Sequence, residues 1–390
     1  MIKPKYILPS VFFLILVTVL LCQIRSSGSE QIVEAPVMEK VYTRTDSIVS
    51  HYDNLLAPLI DSSGTVGAAV VITHAGRIEY LKCFGLKKAA GNNPVDENTI
   101  FRLASVSKTV TGVLAGILDK EGMISLDDRV IDYLPGFRLK DSVNTHDLTI
   151  RHVLSHTSGL VPHAYDNLVE AGYPLKTIMD SLKYVNISDI PGKLYGYQNV
   201  IFSLYDTISE AVSGMKFNDL LQEKVFGPFG MHNASAGFQS FKESYNKALP
   251  HSRQRVLSLN DRYYNTNPAA GINASISDMG RFLLAVTGYR SQVLPVPVAD
   301  TMLSPQVLSP LRRVYLRKWD GVESKHYGLG WRIIGYKGHQ IGYHGGYVQG
   351  YQAEIAVCRE EGLGIAFLTN SPNGVASGVV PMFLDLYFEW

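Results

Sequence analysis

Strand-like segments occur at both ends of this chain, and the long stretch between them has a helical period. Near the start, VGAAVVITHAGRIEYLKCFG (66–85) reads as a β-hairpin turning at His74-Ala75-Gly76. Near the end, YGLGWRII, HQIGYHGG, YQAEIAVC and LGIAFLTN are four strand-like runs, and VASGVVPMFLDLYFEW closes the chain as a helix. From about 101 to 290 most segments carry apolar residues at helical spacing. Strands so far apart in sequence share one core only if the two chain ends meet. The pattern predicts an α+β sandwich: one antiparallel sheet built from both chain ends and flanked by helices, with a mostly helical subdomain inserted at about 125–290. DSIVSHYDNLLAPLIDSSG adds a helix before the first strand, with Asp46 as its expected N-cap.

Apolar residues make up 46% of the 390 and charged residues 18%, enough for a sizeable core. Lys plus Arg is 36 against 35 for Asp plus Glu, so the basic excess of a nucleic-acid binder is missing. Three cysteines, Cys22, Cys83 and Cys358, do not provide for a disulfide framework or a structural zinc cluster. Cys83 and Cys358 are expected as free, buried thiols, with a bridge between them as the alternative.

The first residues read MIKPKYILPSVFFLILVTVLLCQIRSSGSEQ. Lys3 and Lys5 precede an apolar run at 6–24, and Ser26-Ser27-Gly28 offers small residues for cleavage. Residues 1–28 therefore read as a signal peptide or signal anchor, 29–45 as a linker, and 46–390 as the functional domain. Leu20 and Leu21 are too large for lipid attachment at Cys22. The two lysines stay in the cytoplasm and the rest is exported, giving a periplasmic or extracytoplasmic protein that touches the inner membrane through 6–24 if uncleaved.

FRLASVSKTVTGVLAGILDKEGM (101–123) carries the most chemistry. Ser105 and Lys108 stand three apart, hence on one face of a helix. A serine is a weak nucleophile until a base takes its proton. A lysine can do so only when neutral, which needs burial or nearby positive charge. A helix start also offers unpaired N–H groups that suit an oxyanion. The competing reading is Ser105 as the N-cap of a core helix. The following TVTGVLAGIL, small and branched, reads as a helix buried on nearly all sides. Ser244 and Lys247 repeat the spacing in FKESYNKALP, a polar stretch read as an exposed loop.

The first element, followed downstream by further stretches in order, resembles the serine β-lactamases and penicillin-binding proteins, most closely class C β-lactamases and related hydrolases. LTIRHVLSHTSGL (148–160), PGKLYGYQNVIFSLYDTISEAVSG, YGLGW, HQIGYHGGYVQGYQAEIAV and GLGIAFLTNS carry the likeness, which covers roughly 45–390. It implies a β-lactamase/transpeptidase-like fold and an acyl-enzyme on Ser105, without metal or cofactor. It gives Lys108 a part in proton transfer and makes Tyr197 the second acid/base, its phenol lowered by Lys108. Asn199 would hold Lys108 and donate to substrate. His344-Gly345-Gly346 is the third element, and the N–H groups of Ser105 and Tyr347 form the oxyanion hole. Y-x-N also occurs at Tyr52, Tyr165, Tyr184 and Tyr263, and H-x-G at His74 and His326. Tyr197 is chosen for the Pro191-Gly192 turn before it and the apolar helix after it. His344 is chosen for the strands on either side.

His344 is expected to bind a substrate carboxylate when protonated or to hydrogen-bond Tyr197. His163 would line the mouth of the cleft, while His152 and His156 are read as structural. Where class C enzymes carry Lys-Thr-Gly, this chain has His-Gly-Gly, which weakens recognition of an anionic β-lactam. Tyr347 and Tyr351 near the strand edge point to an apolar acyl group. The substrate is a small molecule or peptide: a β-lactam, a peptidoglycan stem peptide or an ester. The alternatives are an inactive family member acting as a cell-wall-binding scaffold, and a membrane-anchored assembly protein.

Overall fold

The computed structural model describes residues 43–310, 316 and 318–390, so the segment read as signal or anchor lies outside the described residues. Helix α1 (Arg44–Ser62) opens on a capping box in which Thr43 accepts from the Asp46 N–H and the Asp46 carboxylate accepts from the Thr43 N–H. The cap is thus Thr43, and Asp46 serves from the third helical position, which satisfies two end donors at once.

Eight strands form one sheet. β1 (Gly67–His74) and β2 (Arg77–Gly85) make the expected hairpin over Ala75 and Gly76, both at positive φ. The others are β3 (Val307–Leu308), β4 (Val322–Tyr327), β5 (Arg332–Tyr336), β6 (His339–Val348), β7 (Tyr351–Cys358) and β8 (Leu363–Thr369). Their order is β2-β1-β8-β7-β6-β5-β4-β3, all antiparallel. β1 lies beside β8, with Ala68 opposite Thr369 and His74 opposite Leu363, so the two chain ends close the sheet as the sequence pattern requires.

YGLGWRII differs from its reading as one strand. β4 ends at Tyr327 and β5 begins at Arg332, and the glycines between them form a turn. A Cβ on Gly330, whose φ is +79°, would collide with the Lys108 carbonyl, and one on Gly328 with that of Met302. The turn is pressed against the helix that carries Lys108, which only glycine allows.

Side chains alternate across the sheet. Ala69, Val71 and Ile355 face helices α2 (Ser107–Lys120) and α3 (Ile276–Val286) in the larger core, where Trp331 stacks on Phe282 at 6.4 Å. Val70, Ile341 and Ile365 face α1 and the closing helix α4 (Ala376–Glu389), which Tyr52 ties together by donating to the Val379 carbonyl at 3.2 Å. Cys83 packs toward the first core and Cys358 lies in the second; both are free, and opposite faces preclude a bridge.

The middle of the chain is less purely helical than its period suggested. Phe101–Arg102, Ile272–Ala274 and Ser235–Ala236 form a small second sheet, too short to show a period of two. Phe101 pairs with Ala274, which fixes the chain just before Ser105. Among the described residues no helix is long and apolar enough to cross a membrane.

Candidate active site

Ser105 lies in a single 3-10 turn, Ala104–Val106, between the small sheet and α2. No side chain caps this turn or α2, so Ser105 is not an N-cap. Ala104 holds φ +49°, a left-handed conformation that costs a non-glycine residue about 1–3 kcal/mol and collects at functional sites. Every residue of α2 from Ser107 to Leu118 is buried. Lys108 is wholly so, while Ser105 is partly open.

The Lys108 amine has three contacts: Asn199 Oδ1 at 2.8 Å, the Ala269 carbonyl at 2.9 Å and Ser105 Oγ at 3.5 Å. Burial pushes it well below the ordinary lysine value; Asp166 opposes that shift and Arg332 adds to it. The Tyr197 hydroxyl donates to Ser105 Oγ at 2.9 Å. Its ring is held by His156 at 4.3 Å, and its carbonyl accepts from the His163 N–H at 2.8 Å. Burial raises the Tyr197 phenol and the cation opposing this is Arg332, whose guanidinium lies 5.5 Å from the ring centroid. The expectation that Lys108 lowers the phenol is therefore replaced: the cation that acts on the phenol is Arg332.

Asn199 begins the short helix Asn199–Phe202 and turns its Nδ2 to the Asp166 carboxylate at 3.0 and 3.2 Å. Asp166 also meets His163 Nδ1 at 2.8 Å. A chain of contacts thus runs from His163 through Asp166 and Asn199 to Lys108.

β6 supplies the other wall. It pairs with β5 only as far as Tyr343, so 344–348 has one edge uncovered. β5 and β6 join through the two residues Lys337 and Gly338, with Tyr336 opposite His339. Odd-numbered residues of β6 therefore aim their N–H groups toward β5, and those of Gly345 and Tyr347 reach the uncovered edge. Gly346 lies against the serine turn: a Cβ there would sit 2.8 Å from Ser105 N and 3.0 Å from Val106 N. His344 is fully buried. Its Nδ1 donates to the Gly345 carbonyl at 2.9 Å, which leaves Nε2 to accept from Tyr327 at 3.1 Å. Burial, with Arg332 and Lys108 adding, holds it well below the usual histidine value. A buried neutral ring bonded to Tyr327 corrects both expectations for His344, a charged carboxylate ligand and a partner of Tyr197. Tyr351 is also buried, donating to the Ala248 carbonyl at 2.7 Å, so of the two tyrosines only Tyr347 lines the edge, 66% exposed.

The structure thus brings Ser105, Lys108, Tyr197, Asn199, His344, Gly345, Gly346 and the Tyr347 backbone to one place. The rival tyrosines have other partners: Tyr165 meets the Ser181 carbonyl, Tyr263 meets Glu170, and Tyr184 is 70% exposed. His152 sits in the capping box of Thr149, and His156 accepts from the Gln198 N–H at 3.2 Å while walling Tyr197, so both have structural partners. Sequence reasoning missed Arg332 and Asp166. Arg332 directly follows YGLGW, and Asp166 stands one helical turn after His163, so a charge next to a motif was the available signal.

Known proteins resemble this chain in sequence and in fold. The family description Beta-lactamase matches residues 52–382. A β-lactamase of Yersinia enterocolitica is 26% identical over 282 residues, covering 72% of this chain and 68% of that protein. Esterase EstB of Burkholderia gladioli is 27% identical over 221 residues, 52% of this chain and 56% of the esterase. The structure of the octameric penicillin-binding protein homologue from Pyrococcus abyssi superposes with a TM-score of 0.76 at 21% identity, covering 87% of this chain and 77% of that one. That likeness speaks for the fold.

Proposed function

The chain belongs to the Beta-lactamase family, a family of serine hydrolases, and from that premise we propose a class C β-lactamase-like hydrolase working through an acyl-enzyme on Ser105. One observation carries the reading. Two of the three contacts of the Lys108 amine are oxygen acceptors, Asn199 Oδ1 and the Ala269 carbonyl, and they take two N–H donors. In a neutral amine the remaining position, facing Ser105 Oγ, is the lone pair. Lys108 is then the base that takes the serine proton as Oγ attacks a carbonyl. The Ser105 and Tyr347 N–H groups stabilise the oxyanion. Tyr197, neutral and 2.9 Å from Oγ, protonates the leaving group and recovers its proton from Lys108. In deacylation neutral Lys108 takes a proton from the attacking water, while Tyr197 gives its own to Ser105 Oγ and recovers one from Lys108. Ester or peptide plus water gives acid plus alcohol or amine, with every proton accounted for.

The substrate reading moves with two of the corrections. His344 supplies no charge for a β-lactam carboxylate, so esters and short peptides are favoured over β-lactams. With Tyr351 buried, the aromatic surface at the edge is that of Tyr347, and the recess beside it mixes Glu170 and Arg262 with Tyr263 and Val348, so it does not restrict the acyl group to an apolar one. Export rests on the charged and apolar pattern of residues 1–28.

Intact-mass spectrometry tests this. The purified chain is mixed with a p-nitrophenyl ester, a penicillin and a chromogenic cephalosporin beside Ser105→Ala. The expected result is an adduct on Ser105 and ester turnover above cephalosporin turnover, both lost in Ser105→Ala. An adduct or turnover that persists in Ser105→Ala, or none with any of the three, overturns the reading.

A further inference from the structure

A second cluster of reactive side chains lies at the other end of β6 from His344. Residues 339, 341 and 343 share one face of that strand, and Ile341 and Tyr343 place it against α1 and α4. Cys358 ends β7 on the same face, fully buried. Gly342 pairs with Val357, so the next step of the register sets Cys358 opposite Ile341 and diagonal to His339, and Glu360 follows in the turn between β7 and β8. The donor atoms of His339, Cys358 and Glu360 all lie within 4.8 Å of one another. The His339 ring stacks on Phe388 of α4 at 4.2 Å. Its Nδ1 is buried without a hydrogen-bond partner, 3.6 Å from the Glu360 carboxylate and 4.0 Å from that of Glu361.

We propose that His339, Cys358 and Glu360, with Glu361 or a water as fourth ligand, bind one divalent cation of zinc type. The donor set makes the choice of metal. One thiolate, one imidazole and carboxylates suit a borderline ion and do not suit calcium or magnesium, which take oxygen alone. Zinc bonds of about 2.0–2.3 Å set donors about 3.4 Å apart, so the cluster needs only a small contraction. The Glu360 side chain is 63% exposed, which lets it close on the ion and leaves an entry path. The cysteine count told against a structural zinc cluster because such clusters use several sulfurs, and a site with one sulfur corrects that reading. The role is structural. The ion joins β6 to the β7–β8 turn, and Phe388 and Tyr387, whose hydroxyl donates to Glu361 at 3.3 Å, extend the link to α4. No step at Ser105 passes through it.

The test titrates the metal-stripped full chain with Co²⁺ as a spectroscopic probe and with Zn²⁺ in a thermal melt. Expected are one Co²⁺ per chain at micromolar or lower Kd, a thiolate-to-cobalt charge-transfer band, and a rise in Tm of several degrees with Zn²⁺. Cys358→Ser abolishes the band, and Cys83→Ala and Cys22→Ala keep it. His339→Gln retains the thiol and weakens binding at least tenfold, which covers the case of a Cys358 variant that does not fold. Absence of the band in the unaltered chain, or binding unchanged in His339→Gln, overturns the proposal and leaves His339 as the ion-pair partner of the two glutamates. Ester turnover stays the same with and without metal, so this result is independent of the reading of Ser105.

Discussion

Ser105–Lys108 and Ser244–Lys247 share one spacing and have opposite surroundings. Lys108 is sunk in the core, its amine divided between Asn199, the Ala269 carbonyl and Ser105 Oγ. Lys247 turns back on its own loop and donates to the main-chain carbonyl of Ser244, just beyond the short helix Phe238–Glu243, beside a fully exposed Tyr245. The two lysines do not differ in chemistry. One is stripped of water and held by two acceptors so that its third position faces a hydroxyl. The other meets a carbonyl that has no proton to give. Four residues of sequence do not contain this difference; it is made by Asn199, Ala269 and Tyr197, which arrive from elsewhere in the chain.

The widest separation between the two pairs comes from removing each lysine. Lys108→Met keeps an unbranched side chain in the core and deletes the base. It should lower kcat/KM for a p-nitrophenyl ester by about 10²–10⁴-fold. Lys247→Met should stay within about twofold, as a change at a half-buried residue with no part in the reaction. Steady-state kinetics with a thermal melt on both variants checks this. Tm of Lys108→Met should hold within a few degrees, because losing the burial cost of the amine offsets the orphaned acceptors on Asn199 and Ala269. Near-normal activity in Lys108→Met would erase the distinction between the pairs.

The third partner of the Ser105 turn gives a narrower test. Gly346 lies where a Cβ would collide with the Leu103 carbonyl and crowd the N–H groups of Ser105 and Val106. These are backbone atoms and yield little. Gly346→Ala should push β6 off the turn and cost about 10²–10³-fold in kcat, the worth of a misplaced oxyanion donor. The Ser244 pair has no such strand beside it. Retained kcat in a folded Gly346→Ala would remove Tyr347 N–H from the oxyanion site.

Which parts of this were legible follows from where the information lies. YQAEIAVC coincides with β7 because its aromatic and branched residues fall between turns, although the polar Gln352 and Glu354 interrupt the run and the buried Glu354 accepts from Tyr343 and Gln352. The burial of α2 was readable from its small and branched residues. YGLGW was misread because its glycines and tryptophan answer to tertiary packing on Lys108 and Phe282 rather than to a local period. His344 was placed in the site but given the wrong partner and charge, since burial beside Tyr327 and Arg332 is invisible along one strand. Arg332 and Asp166 carried no motif of their own, and charges that act through space leave none.

Arg332 offers the smallest effect and the most specific one. Acylation needs a neutral Lys108, so kcat/KM should fall as pH drops through the amine's value in the free enzyme. Burial holds that value well below the ordinary one, and the Arg332 charge pushes it further down. Arg332→Gln removes the charge, lets the Lys108 value rise, and should move the acid limb of the pH profile to higher pH. Each unit of that displacement costs tenfold on the limb, so at neutral pH the loss should be about tenfold or less. Above the limb the two profiles should converge, because the substitution leaves Ser105, Lys108 and Tyr197 in place. A loss equal at every pH would instead make Arg332 a substrate ligand. An unmoved limb would mean that burial, without Arg332, holds the Lys108 value down, and the contrast with Lys247 would then rest on burial and on the partners of the amine.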